Sequence, residues 1–474
     1  MDLKSLLTAK AVTIGAKTAF RLMQSFSEDR WMKLVNPIIA RQAVPEAQVF
    51  LDLAFRRLHK GFPTLSKSVK EKFLQNFVVK PYTVYGPRRK AFFEENGYQV
   101  PSLMVMSPTM KCNLRCYGCY ASEYQKGDDL PYDVVTRVIN EAKAMGIFFF
   151  VISGGEPNAW PRLIETLETH NDAIFQIYTN GTLINDKRAD EFARLGNVIP
   201  CISVEGFEKE TDARRGKGTF RKICDAMDRL RERGVVFGFS ATATRENNEF
   251  IVSDEFVDFY VEKGIYLGWY FNYIPIGREP DMTLMPTPEQ RNYRRKRILE
   301  IRDTKKVVVA DFWNDGILTN GCMAGGHEYF HVISTGDVEP CVFCHFAADN
   351  VKEKSLKEIL ESPFFKAFRR KRPYNDNLLR PCTIIDNPQI LRDAVAEGGA
   401  HPTHAGSEST ITTLAPALDE YAKNYGKVAD QAWNEEYVDN TYKPHLSVLA
   451  KLINGKKNGR MKRKEKKQAA VVGS

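Results

Sequence analysis

No stretch of this 474-residue chain runs to about 18 apolar residues without a charge, so a membrane-crossing helix is not expected. The opening "MDLKSLLTAKAVTIGAKTAF" has no compact apolar block before a small-residue cleavage site, and it reads as a mature N-terminus rather than a signal peptide. Cysteine is scarce, nine residues in all, and without a secretory start that excludes a disulfide framework. Beyond a recurring strand–helix rhythm there is no internal repeat. Global disorder is excluded as well, because 43% of the residues are hydrophobic and 11% aromatic.

Excess charge is nearly missing from the body of the chain. The net charge is +9, but "KKNGRMKRKEKK" at 456–467 carries +7 of it. The tail 456–474 therefore reads as basic and disordered. At the other end, Val12, Ala19, Leu22, Met23 and Phe26 share one side of a helical wheel, with Lys10, Lys17 and Arg21 opposite. A helix packed on the body is the plain reading. A basic amphipathic helix on an anionic membrane surface is the sharper one.

Five segments follow from composition and periodicity. Residues 1–100 read as a helical region and 101–310 as an alternating strand–helix core. Residues 311–395 form a cysteine-bearing region, 396–455 a turn-rich loop ("EGGAHPTHAGSEST") and a helix, and 456–474 the tail. In the core, "LMVMSPT", "IFFFVIS", "IFQIYTN", "VIPCISVEG", "VVFGFSATAT" and "YLGWYFNYIPIG" read as six strands with helices between them. Such alternation predicts α/β structure, a partial (β/α)6 TIM-like barrel with a helical N-terminal extension and a small C-terminal cysteine domain. Chemistry then belongs in the loops after the strands.

One of those loops is "MKCNLRCYGCYA", 110–121, which packs three of the nine cysteines into C-x3-C-x2-C: Cys112, Cys116 and Cys119. Structural zinc usually takes four ligands. Three thiolates suit a [4Fe–4S] cluster with one iron left for a small molecule.

The order of motifs resembles the radical S-adenosylmethionine superfamily over roughly 102–385. Cys112, Cys116 and Cys119 match the family's cluster motif. Gly154, Gly155, Glu156 and Pro157 ("GGEP") match its loop for the amino group of S-adenosylmethionine, with Glu156 offering charge to an ammonium. Asn180 in "YTNGT", and Ser203 and Glu205 in "ISVEG", match the ribose and methionine side. Arg214 resembles the arginine that meets the methionine carboxylate. Many relatives carry an aromatic residue where this chain has Gly118; Tyr117 and Tyr120 flank it.

The resemblance implies reductive cleavage of S-adenosylmethionine to a 5′-deoxyadenosyl radical, which abstracts hydrogen from an unactivated C–H bond. It also implies a low-potential electron donor such as ferredoxin or flavodoxin, and an anaerobic or reducing cytoplasm. The basic tail adds a peripheral place on the inner face of the membrane.

A second group, Cys322, Cys341, Cys344 and Cys382, resembles the opening of the auxiliary-cluster extension called SPASM, or its shorter relative twitch. Four cysteines are fewer than the seven of the full SPASM pattern, which points to one auxiliary [4Fe–4S] cluster. His345 is an alternative ligand to Cys344; zinc and unligated thiols are the competing readings. Cys201 and Cys224 read as core thiols, and His401 and His404 as loop residues.

The expected substrate is a membrane lipid or other hydrophobic molecule, with a ribosomally made peptide as the alternative. An electron carrier needs no GGEP loop, and no nucleic-acid module is present.

Overall fold

The computed structural model describes residues 27–40, 45–305 and 307–438. The amphipathic start and the basic tail lie outside the described residues.

The core is a nine-stranded sheet: β1 (Leu103–Met106), β2 (Phe149–Ile152), β3 (Ile174–Thr179), β4 (Val198–Val204), β5 (Gly238–Ala243), β6 (Leu267–Asn272), β7 (Val308–Asp311), β8 (His331–Val332) and β9 (Val338–Glu339). The order is β7-β6-β5-β4-β3-β2-β1-β8-β9. β1 to β7 run parallel, β8 joins β1 in parallel, and β9 is antiparallel to β8. The six expected strands are present. The sequence reading missed β7, which enters after the helix Pro288–Thr304, and it did not anticipate that β8 and β9 extend the same sheet. β7 and β9 are the two edges, so the barrel is open.

The two-residue alternation of a strand divides the core. Met104, Phe150, Ile152, Phe175, Ile177 and Phe239 point outward into the layer beneath the helices. Leu103, Val105, Phe149, Val151 and Tyr178 point inward and wall a central chamber. Emptying one outward position, for example Phe150→Ala, costs about 3–5 kcal/mol because the rigid layer cannot collapse into the void.

The helices start and stop where local chemistry says they should. Asn185 accepts the Arg188 N–H and caps the helix Asp186–Leu195. Gly146 and Gly196 end their helices in the left-handed conformation.

The N-terminal region is helical, as expected. Its helices Glu28–Ile39, Pro45–Gly61 and Lys67–Phe73 pack around Trp31, whose Nε1 donates to the Phe55 carbonyl at 2.9 Å. Helix Ala415–Trp433 lies on helix Pro288–Thr304. There Arg291 stacks 3.7 Å over Tyr425 and pairs with Asp386 at 2.6 Å, fully buried. Among the described residues no helix is long and apolar enough to cross a membrane.

Candidate functional site: two cysteine groups around one chamber

The first cysteine loop leaves β1 and is stitched to the loop after β2. Gly155 N donates to Thr109 O (3.0 Å) and Glu156 N to Lys111 O (2.8 Å). The glycine pair is required by this approach. Gly154 has φ +112°, and a Cβ on Gly155 would stand 2.2 Å from Lys111 O.

A cavity of about 230 Å³ opens beside the loop, lined by Cys112, Cys116, Cys119, Gly154, Gly155, Asn180, Ser203 and Arg214. Eight of the residues assigned from sequence thus converge on one space.

Three others do not line it. Glu156 is fully buried and faces β3. Its Oε1 accepts from Asn158 N, Asn158 Nδ2 and Thr179 Oγ1, and its Oε2 from Asn180 N at 2.7 Å. This corrects the expectation that Glu156 presents its charge to an ammonium: its acceptor capacity is spent on holding the β2 and β3 loops together. Pro157 is buried at the start of a short turn.

Glu205 is buried too, and it pairs with Arg214 (2.7 Å) and, through the Arg215 Nε (3.0 Å), with the neighbouring arginine. The expectation that Glu205 lines the ribose side is corrected likewise, since a buried carboxylate needs partners. Two guanidiniums against one carboxylate leave a net positive wall for an anionic group. Arg215 also lines the cavity, and the sequence reading missed it.

Gly118, the departure noted above, has φ +59°, and a Cβ there would meet the Tyr273 ring at 2.8 Å. Tyr273 fills the place a larger residue would need. Tyr117 stands beside the Arg214 guanidinium, 6.0 Å from ring centre to carbon, and Tyr120 donates or accepts at Ser153 Oγ (2.8 Å).

Cys322, Cys341 and Cys382 line a second, small cavity of about 30 Å³. Cys344 is buried in the same turn as Cys341, its N–H donating to the Cys341 carbonyl at 3.0 Å. Phe312 and Met323 line both cavities, so the two cysteine groups share a wall. Tyr329 lines the chamber and donates its hydroxyl to Cys341 Sγ at 3.0 Å.

The donor chemistry fits iron–sulfur ligation. At five of the seven cysteines the N–H two residues on donates to the sulfur: Leu114 to Cys112 (3.4 Å), Ala324 to Cys322 (3.4 Å), Phe343 to Cys341 (3.4 Å), Ile384 to Cys382 (3.3 Å), and Phe346 to Cys344. Such dipoles favour thiolate over thiol. Burial acts against them, pushing Cys341 up to about 12 and Cys344 well above the ordinary thiol range. Metal must therefore displace protons to bind. Among the described residues, no three His, Cys, Asp or Glu side chains gather as they would around one ion. A cluster, which seats each thiolate on its own iron, does not need that arrangement.

His345 has both ring nitrogens engaged, with His404 at 2.7 Å and the Val342 carbonyl at 3.0 Å, and burial lowers it to about 4. His404 lies in a loop, as expected, and is buried against the cysteine region; His401 is exposed and, contrary to its reading as a loop residue, stands on the short strand His401–Pro402, which pairs with Phe346–Ala347. Cys201 is buried in β4, and Cys224 is half-buried on its helix.

Comparison with known proteins agrees with this geometry. Residues 106–251 match the radical SAM superfamily, and 322–383 match the iron–sulfur cluster-binding domain SPASM. The AdoMet-dependent heme synthase of Methanosarcina barkeri is 25% identical over 61% of this chain and 90% of its own length. The mycofactocin maturase MftC of Mycolicibacterium smegmatis is 28% identical over 54% of this chain and 69% of its own length, and the PqqA peptide cyclase of Ruegeria pomeroyi is 23% identical over 62% and 84%. The fold is that of Streptococcus suis SuiB bound to S-adenosylmethionine, with a TM-score of 0.53 at 20% identity over 62% of this chain and 75% of that one. Residues 106–251 are a radical SAM domain and 322–383 a SPASM domain: the chain is an iron–sulfur enzyme that uses S-adenosylmethionine.

Proposed function

We propose that this enzyme performs hydrogen-atom abstraction on a peptide, and that its two cysteine groups, Cys112/Cys116/Cys119 and Cys322/Cys341/Cys344/Cys382, each hold a [4Fe–4S] cluster on opposite sides of the substrate chamber. The observation that carries the reading is the shared wall of Phe312 and Met323, which puts the second group against the chamber that the first group opens into. When bound, S-adenosylmethionine and the three-cysteine cluster supply one-electron cleavage of a carbon–sulfur bond and thereby a hydrogen-abstracting radical.

The chain's own residues bind, orient and exclude water. Arg214 and Arg215 receive the carboxylate, and their pairing with Glu205 fixes both guanidiniums. The Gly154–Gly155 backbone and Asn180 hold the amino and ribose side. The aromatic wall keeps water from a reactive centre. A ferredoxin- or flavodoxin-type donor would serve the reductive step.

Peptide is favoured over lipid because maturases and peptide cyclases stand among the relatives, whereas the lipid reading rested on the two terminal segments outside the described residues. Incubating the anaerobically reconstituted enzyme with S-adenosylmethionine, dithionite and deuterated peptides encoded by neighbouring short reading frames tests this. Deuterium in 5′-deoxyadenosine supports the peptide reading. Deuterium transferred only from deuterated phospholipid overturns it.

A further inference from the structure

A second large cavity, of about 240 Å³, lies at the end of the barrel away from the cysteine loops. Its upper wall is the inward face of the sheet where the strands begin: Ile174, Ile199, Leu267 and Val308. The register places them on the face that lines the chamber, since Ile199 stands opposite Gln176 and Val308 opposite Leu267, two positions before Trp269. Its lower wall comes from the helices Pro45–Gly61 and Lys67–Phe73 and the turn Leu74–Val79, through Leu51, Leu58, Phe73 and Phe77. Among the described residues the cavity and the chamber share no lining side chain. Phe149, Gln176 and Trp269 belong to the chamber side, and the Phe77 ring meets the Phe149 ring at 6.1 Å from below.

The space is apolar with a cationic rim. An apolar void of about 150 Å³ already accepts benzene, so this one has room for a longer hydrocarbon. The two neutral polar side chains in the lining bond within the protein, Asn197 Nδ2 to the Leu167 carbonyl at 3.1 Å and the Tyr266 hydroxyl to the Gly61 carbonyl at 3.0 Å. Two cations and no carboxylate complete it: Arg57 and Lys72, both half-buried. Arg57 has no ion pair or hydrogen bond among the described residues. The acids near it are taken, because Glu28 and Asp52 both bind the neighbouring Arg56, at 2.5 and 2.7 Å. Lys72 Nζ donates to the Asn171 carbonyl at 3.0 Å, and Asp172 beside it is bound to Lys143 at 2.6 Å. Long cationic side chains lay their stems on apolar surface and keep their heads at water, so this charge marks the mouth.

From this pairing of an apolar cavity with an uncompensated cationic rim, we propose that the space beneath the barrel binds one long-chain carboxylate, its tail in the cavity and its head against the Arg57 guanidinium. The planar fork of an arginine matches two carboxylate oxygens, and Lys72 adds a second positive charge. The chain's own amphipathic start is a poorer occupant, since Lys10, Lys17 and Arg21 would bring like charge to this rim. The guest is not the substrate, because the layer of Phe149, Gln176 and Trp269 separates it from the cysteine side. It joins the N-terminal helices to the strand starts and stabilises the folded state by mass action.

The test uses titration calorimetry on the full-length, iron-reconstituted enzyme with S-adenosylmethionine present. The probes are decanoate, 1-decanol and butanoate. Decanoate is expected to saturate at one per chain. Butanoate, the same head on a short tail, is expected to bind at least about a hundredfold more weakly, and decanol, the same tail without charge, about fivefold more weakly. Arg57→Gln is expected to weaken decanoate about fivefold and to leave decanol unchanged. Ala54→Phe fills the cavity from the helix side and Ile199→Phe from the sheet side, and each is expected to abolish decanoate binding. Circular dichroism and iron content establish that the variants are folded and loaded.

Uptake of many decanoates per chain without saturation overturns the site, since a surfactant coats any apolar surface. Binding retained in both filled variants overturns it too, because the guest then sits elsewhere. Equal affinity for decanoate and decanol, or an equal loss of both in Arg57→Gln, overturns the carboxylate assignment. None of these results touches the peptide reading, which the deuterium transfer tests separately.

Discussion

The Tyr329 hydroxyl donates to Cys341 Sγ across 3.0 Å while its ring lines the substrate chamber. Tyr329 is buried at 2% exposure, and burial raises its hydroxyl well above the ordinary range, so the proton stays on oxygen and the donation persists. A hydrogen bond to a ligating sulfur withdraws electron density and raises the potential of the cluster it serves. Tyr329→Phe is expected to shift the auxiliary cluster to a more negative midpoint potential with iron content unchanged. Redox titration followed by electron paramagnetic resonance, in a background lacking Cys112, Cys116 and Cys119, measures it. No shift would mean that the bond does not tune the cluster.

Glu156 should behave as a brace and not as a ligand. Glu156→Gln replaces an acceptor with an amide whose N–H₂ meets the donors of Asn158 or Asn180. The expected cost is about 2–3 kcal/mol of stability. S-adenosylmethionine binding should fall as Gly154, Gly155 and Asn180 lose their places. Urea unfolding and equilibrium dialysis read the two effects.

The glycine pair makes a sharp steric prediction. Gly155→Ala puts a Cβ 2.2 Å from Lys111 O, so the cysteine loop must move; Gly127→Ala meets nothing within 4 Å. The first substitution is expected to abolish S-adenosylmethionine binding and to impair loading of the first cluster, and the second to leave both intact. Iron analysis and dialysis distinguish them.

His170 supplies a pH test away from the cysteines. Burial lowers it to about 4, and its Nε2 has no hydrogen-bond partner among the described residues. The unfolded chain takes up this proton near pH 6.5, before the folded one, so stability is lost as pH falls from about 6.5 toward 4. His170→Leu should therefore stabilise the metal-free protein, by about 2 kcal/mol more at pH 4.5 than at pH 7 after allowing for solvent screening. Urea unfolding at the two pH values checks the sign.

Much of this architecture is legible in the residues. The six runs ending at Thr109, Ser153, Asn180, Gly206, Thr244 and Gly277 each carry their strand locally, and clustered thiols announce their own chemistry. What escaped depends on contacts distant in sequence. β7 is four residues long and follows a helix whose buried face is mostly arginine, with Arg291, Arg294, Arg295 and Arg302 inside beside only Ile298 and Ile301, so no continuous apolar stripe marks the unit. β8 is two residues and exists because β1 offers it a free edge. Glu156 and Glu205 looked like ligands because the sequence shows a charge, whereas their roles are set by Asn180 and by Arg214 and Arg215 across the loops. His404 lies 59 positions from the His345 it touches. Arg215 had a weak local signal, since it adjoins Arg214; Tyr329 had none, because its partner is fixed only when Cys341 turns back over it.

The central claim is that two clusters face one chamber, and iron counting tests it most directly. Iron per chain is measured after anaerobic reconstitution, for the wild type and for the variant with Cys322, Cys341, Cys344 and Cys382 all changed to Ala. The account predicts about eight irons falling to about four, with the first cluster retained. About four in both proteins would contradict it, since the second cysteine group would then hold no iron.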